Sequence, residues 1–213
     1  MMKRILALTL ALVMLFSMTA LALTPEEAAR DLGRYGIMSG FSDGSLRLEQ
    51  NVTRAQVAKM LVTAMNKTVA SGRMSSFTDV PKGHWATDYI ETAKDYKIIG
   101  GFPDGSFRPE EPVTFAQVVK MVVCMLKYDG YLLSHEYNKT KMEYPMDYLH
   151  LANRFDLIKG LAFDQTAPAN RGTVAVILSR TLDAPIAYDD TPFWSLADGK
   201  GGRPLNTLRV AFQ

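Results

Sequence analysis

Along most of the chain, apolar residues recur at helical spacing in short blocks punctuated by glycine and proline. This pattern predicts short helices joined by turns rather than strands. The first block opens at Thr24-Pro25-Glu26-Glu27, with Thr24 as cap, Pro25 at the first helical position and acids in the first turn, and should run to about Tyr35. Its counterpart is Trp85 to Asp95, where Tyr89, Ile90 and Ala93 fall on one face. Gly36 and Gly40 break the first helix off. A short apolar segment, Ile37 to Phe41, then leads into Ser42-Asp43-Gly44-Ser45, a turn in which glycine supplies the positive φ. Pro103-Asp104-Gly105-Ser106 is the same turn with proline at its first central position.

Two polar loops end in sharply specified helix starts. Thr53 with Gln56, and Thr114 with Gln117, have the T-x-x-Q spacing at which two side chains satisfy each other's backbone amides. Val52 with Val57, and Val113 with Val118, are placed to staple the chain at each start. Helices are therefore expected from Arg54 to about Asn66 and from Phe115 to about Lys127, broadly apolar with a lysine on the outer face. A further helix should run from a cap at Asn170 to about Leu182, with Thr173 standing where the box requires Gln.

These elements are copies of one another. A shift of 61 positions lays Gly101–Leu126 over Gly40–Met65 without a gap. A shift of 59 lays Gly101 over Gly160, and Tyr89, Ile90, Ala93, Ile98 and Ile99 over Tyr148, Leu149, Ala152, Leu157 and Ile158. The implied organisation is an all-α module of three helix-loop-helix repeats: 23–70, truncated at its N-terminus; 77–128; and 142–184, degenerate and with a shorter loop. Asp129 to Lys141 is a polar and aromatic connection. The tail, 185–213, is broken by proline and glycine and defeats assignment of regular structure.

Composition narrows the function. With 213 residues, 47% of them apolar, the chain can bury a core. Lys3 and Arg4 precede the apolar run Ile5 to Met18 and the small-residue pattern Ala20-Leu21-Ala22, so 1–22 reads as a secretion signal, with no membrane span expected after its removal. Those two cations account for the whole formal charge of +2. A mature chain near neutrality argues against nucleic acid as partner, and any anion must be bound locally. The lone Cys124 sits in an apolar run, so no disulfide framework exists.

The motifs F-x-D-V-P-x-x-H-W-A at Phe77 to Ala86, G-F-P-D-G-S-F-R-P at Gly101 to Pro109 and V-T-R-A-Q at Val52 to Gln56 resemble the S-layer homology repeat. The resemblance covers roughly Pro25 to Ala184. It implies a pseudo-threefold spindle around a central helical bundle, without cofactor or catalysis. It also implies non-covalent attachment to secondary cell-wall polysaccharide of a bacterial envelope, through a sugar made anionic by a pyruvate ketal. The family's groove residues carry over to Arg54, Arg171, Asp79, Trp85, Gly40 and Gly101.

The chemistry of these residues fits such a role. Arg54 at a first helical position opposes the macrodipole, and a carboxylate beside it and the helix-start amides would offset that. Trp85 offers a flat apolar face to a sugar, and Asp79 an acceptor for its hydroxyls. Competing readings have Arg54 solvated or paired with Glu49, Trp85 packed in the core, and Asp79 capping a turn. If a groove joins one repeat's Arg to the next repeat's Asp and Trp, Arg54 meets Asp79 and Trp85, whereas Phe115, Asn138 and Tyr144 form a groove that has lost all three groups. Arg171 would then draw on the tail, where Asp190 and Trp194 in Tyr188 to Trp194 echo the F-x-D element and close the ring.

Other classes fit poorly. Arg47 and Arg108 stand where a calcium loop needs oxygen ligands, and the glycine comes too early. His84, His135 and His150 share no metal spacing, and no nucleophile elbow is present. The N-x-T sequons at Asn51, Asn66 and Asn138 read as incidental. The alternative to glycan binding is a structural role in assembly with other envelope proteins.

Overall fold

Six α-helices carry the fold in a computed structural model that describes residues 23–129, 141–186 and 208–209: α1 (Pro25–Arg34), α2 (Arg54–Ala64), α3 (Thr87–Asp95), α4 (Phe115–Met125), α5 (Met146–Arg154) and α6 (Arg171–Asp183). The secretion signal, Asn138, Asp190 and Trp194 lie outside the described residues.

The helix starts follow from local chemistry. Thr24 with Glu27, Thr53 with Gln56 and Thr114 with Gln117 all close reciprocal capping boxes. Asn170 caps α6 through the Thr173 amide alone, as expected where threonine replaces glutamine. The helices α2 and α4 end a turn's fraction earlier than their apolar patterns suggest, because Asn66 (φ 51) and Lys127 (φ 61) have turned into the left-handed region. α3 begins at Thr87 rather than Trp85, after a turn in which the His84 carbonyl receives the Thr87 amide.

The helices pack as pairs: α2 on α3, α4 on α5, and α1 on α6, which joins the start of the described chain to its last helix. α2, α4 and α6 are buried over most of their surfaces and supply much of the core.

The three cap segments are tied in a closed ring. The Val52 amide donates to the Ala169 carbonyl (3.0 Å), the Ala169 amide to the Val113 carbonyl (2.8 Å), and the Val113 amide to the Val52 carbonyl (2.9 Å). All three side chains are buried, so the ring lies in an apolar setting where its polar groups need these partners. Each repeat donates to one neighbour and accepts from the other.

The ring also corrects one expectation about the helix starts. The first two amides of α2 donate to the Glu111 and Pro109 carbonyls (3.0 and 2.9 Å), those of α4 to Ala167 and Gln165 (3.0 and 3.1 Å), and those of α6 to Gln50 and Leu48 (2.9 and 2.8 Å). The third amide of each is taken by its own cap side chain. The donors that a helix start ordinarily leaves unpaired are therefore satisfied by neighbouring repeats, and none is free to receive a carboxylate.

Candidate functional site

Each repeat carries a turn locked by one carboxylate. Asp43 accepts from the amide and hydroxyl of Ser45 (2.9 and 2.6 Å), Asp104 from those of Ser106 (2.9 and 2.6 Å), and Asp164 from those of Thr166 (2.8 and 2.7 Å). The Ser106 bonds, helped by Arg108, hold the Asp104 carboxyl down at about 2. Arg47 (φ 44) and Arg108 (φ 60) follow in left-handed conformation and pair back with Asp43 and Asp104.

Across these loops lie the arginines that open α2 and α6. Arg54 donates from Nε to the Phe107 carbonyl (2.8 Å), from Nη2 to the Gly100 carbonyl (3.5 Å) and from Nη1 to the Gln117 side-chain oxygen (3.2 Å). Its guanidinium lies over the rings of Phe102 and Phe107. Arg171 repeats the arrangement at matching positions, with Nε on the Leu46 carbonyl (2.9 Å), Nη2 on the Ser39 carbonyl (2.8 Å) and the Phe41 ring beneath. Only 4% of Arg54 and 7% of Arg171 is exposed. Burial depresses the pKa of both below the ordinary arginine value, with the Glu111 charge opposing the effect at Arg54; a guanidinium nevertheless stays charged. At the third position Phe115 stacks on Phe163, with centroids 4.1 Å apart and planes 5° from parallel.

Beside Arg54 opens a groove of about 200 Å³, lined by Gly101, Phe102, Gln117, Lys120 and Tyr144 as well as the arginine. Arg54 and Gly101 are thus brought together as expected. Asp79 and Trp85 do not line this groove. Both Asp79 oxygens are occupied by the amides of Phe107 and Arg108 (2.7 and 2.6 Å), so Asp79 and Arg54 share Phe107, one at its amide and the other at its carbonyl, without a direct hydrogen bond. Trp85 stands 51% exposed with its ring 5.7 Å from that of His84, whose Nε2 is 3.0 Å from Glu110.

The expected sharing of residues is therefore corrected. The aromatic beside Arg54 is Tyr144 of the third repeat, because the clamped loop borders α4, α4 packs on α5, and Tyr144 stands just before Pro145, the residue that caps α5. One groove thus takes its arginine, glycine loop and aromatic from three different repeats. By the same spacing Trp85 precedes α3, which packs on α2. Gly40 lies within the loop that Arg171 clamps, between Ser39 and Phe41. Gln117, Lys120 and Tyr144 escaped the sequence reading as site residues. The recurring lysine five positions after the first residue of α2 and of α4 was the visible signal.

Gly101 forms part of the groove wall for a steric reason. A Cβ there would stand 2.5 Å from the Phe77 ring and 2.7 Å from the Ser106 carbonyl oxygen. Cys124 is buried, and burial pushes its thiol up to about 12, which makes it inert. Among the described residues no three His, Cys, Asp or Glu side chains gather as a metal site, and no helix is long and apolar enough to cross a membrane.

Residues 27–58 and 76–119 match the S-layer homology domain. Among curated relatives, the middle cell wall protein of Brevibacillus brevis is 26% identical over 74% of this chain and 14% of its own length. The cell surface protein of Thermoanaerobacter kivui is 28% identical over 95% of this chain and 27% of its own. The cellulosome-anchoring protein of Acetivibrio thermocellus is 23% identical over 88% of this chain and 48% of its own. The chain spans less than half the length of each of these relatives.

Proposed function

Starting from a chain that carries S-layer homology domains, we propose that it is a non-catalytic anchoring module at the bacterial cell wall or S-layer surface, binding anionic, pyruvylated secondary cell-wall polysaccharide in its inter-repeat grooves. The relatives' names support the surface location. The closed ring of Val52, Val113 and Ala169 supports a pseudo-threefold arrangement of the repeats.

The observation that carries the glycan reading is the groove beside Arg54. Among the described residues no carboxylate lies within ion-pair distance of this buried guanidinium, which brings a positive charge to the groove lining. Tyr144, 51% exposed, offers an apolar ring face at the rim, and Gln117 an amide. A sugar bearing one carboxylate matches that combination of local positive charge, ring face and hydrogen-bonding group.

Co-sedimentation with purified wall polysaccharide, before and after acid removal of the ketal, tests this reading. Binding to the intact polymer and its loss on ketal removal is the expected result; equal binding to both overturns recognition of the anion. The second reading, protein–protein assembly at the envelope, draws on Phe163, which is 45% exposed over Phe115 at the third position. It predicts no sedimentation with either polymer.

A further inference from the structure

Beyond the groove itself, we propose that the cation meeting the glycan carboxylate is a lysine, Lys120 in the groove beside Arg54 and Lys59 in its counterpart beside Arg171, while the two arginines are positioning residues. The proposal rests on the function proposed above and assigns the chemistry within it.

The arginines are already committed. All three guanidinium nitrogens of Arg54 donate to protein oxygens, and the group is nearly covered between two phenylalanine rings. Turning outward would leave the Phe107 and Gly100 carbonyls without this donor and strip a charge of its partners, a costly exchange in a buried setting. What Arg54 does is pin the loop of the second repeat against α4, which shapes the groove wall. Arg171 pins the loop of the first repeat in the same manner.

The lysines are not committed. Lys120 lines the groove with its Nζ 5.6 Å from the Tyr144 ring centre and 5.7 Å from that of Tyr148, and no carboxylate pairs with it among the described residues. Lys59 holds the matching position on α2, exposed, with Nζ 5.8 Å from the Tyr89 ring centre. An ammonium on a flexible stem beside a ring face suits a single sugar-borne carboxylate, since charge and stacking are then offered on one side.

The repeats supply an independent observation. Where the clamp is kept, the lysine is kept; where Phe115 replaces the arginine, the matching position on α6 is Val176, only 2% exposed. Both cations are lost at the same position of the ring. The protein should therefore bind two carboxylate-bearing segments, not three.

Calorimetric titration of the full mature chain with pyruvylated wall polysaccharide, alongside thermal melts, tests this. Lys120→Gln should keep the wild-type Tm, weaken binding by about tenfold at its groove and, with Lys59→Gln added, abolish ketal-dependent binding. Lys67→Gln is the control, because Lys67 also lies over a ring, Tyr96 at 5.6 Å, but lines no part of the groove. Arg54→Lys should lower Tm and binding together. Wild-type affinity in the double lysine variant, or loss of binding in Arg54→Lys at unchanged Tm, overturns the lysine assignment alone. A wild-type chain that binds neither polymer overturns the functional reading beneath it.

Discussion

Arg209 grips Asp31 with two hydrogen bonds, Nη1 to Oδ1 at 3.1 Å and Nη2 to Oδ2 at 2.9 Å, across 178 positions of sequence. The same guanidinium reaches both oxygens of Asp183 and the Tyr35 hydroxyl, and Leu208 beside it is buried. These two tail residues tie α1 to α6. In the second repeat Arg73 plays a comparable part on α3, with its amide on Asp88 and Nη1 on Asp95. The tail thus reaches the first repeat, although through Leu208 and Arg209; the expected Asp190 and Trp194 lie outside the described residues.

Replacing Arg209 with alanine should destabilise the protein by about 1–3 kcal/mol, since it leaves the partly buried Asp31 without its two guanidinium donors. Urea unfolding at neutral pH measures this, and a change below a few tenths of a kcal/mol would show that the tail does not clamp the helices in solution.

The same contact carries a pH signature. Burial opposes the Asp31 charge, but the hydrogen bonds and charge of Arg209, aided by Ser179, outweigh it and lower the pKa. A carboxyl with a depressed folded pKa contributes stability that is complete above its unfolded pKa of about 3.9 and is lost as pH falls through the lower folded value. The stability gap between wild type and Asp31→Asn should therefore narrow below about pH 4, as followed by unfolding at a series of pH values.

Gly101→Ala and Gly40→Ala should differ although the two glycines occupy matching positions. The first places a methyl 2.5 Å from Phe77, whereas the second meets nothing closer than the Ser45 carbonyl oxygen at 3.3 Å. We expect a loss of about 1–3 kcal/mol for Gly101→Ala and a smaller one for Gly40→Ala, read from thermal melts.

Asp79→Ala should loosen the loop of the second repeat, leaving the Phe107 and Arg108 amides without acceptors at a cost of about 1–3 kcal/mol. Hydrogen exchange at those two amides should accelerate. Unchanged protection would mean that the carboxylate does not hold the loop.

Phe115→Ala removes a ring that is buried and stacked on Phe163, and should cost about 3 kcal/mol. Polysaccharide binding to the remaining folded protein should persist, because the groove beside Arg54 does not contain Phe115. Loss of binding at temperatures well below the melt would place ligand at the third position.

Helix starts were legible in the chain because a cap acts within three residues: Thr53 with Gln56 and Thr114 with Gln117 need nothing from the rest of the fold. The repeats were legible because the same turn recurs at Asp43 and Asp104; its third copy, Asp164 with Thr166, emerged only in the structure. The family resemblance marked Arg54, Gly101 and Arg171 as groove residues. What surrounds Arg54 was not legible. Its carbonyl partners lie 46 and 53 positions away, and its neighbouring aromatic comes from the third repeat. Local pattern reports contacts a turn or two along the chain, whereas the groove is assembled only once the ring of Val52, Ala169 and Val113 closes. That closure decided which loop each arginine clamps and consumed the helix-start amides of α2, α4 and α6.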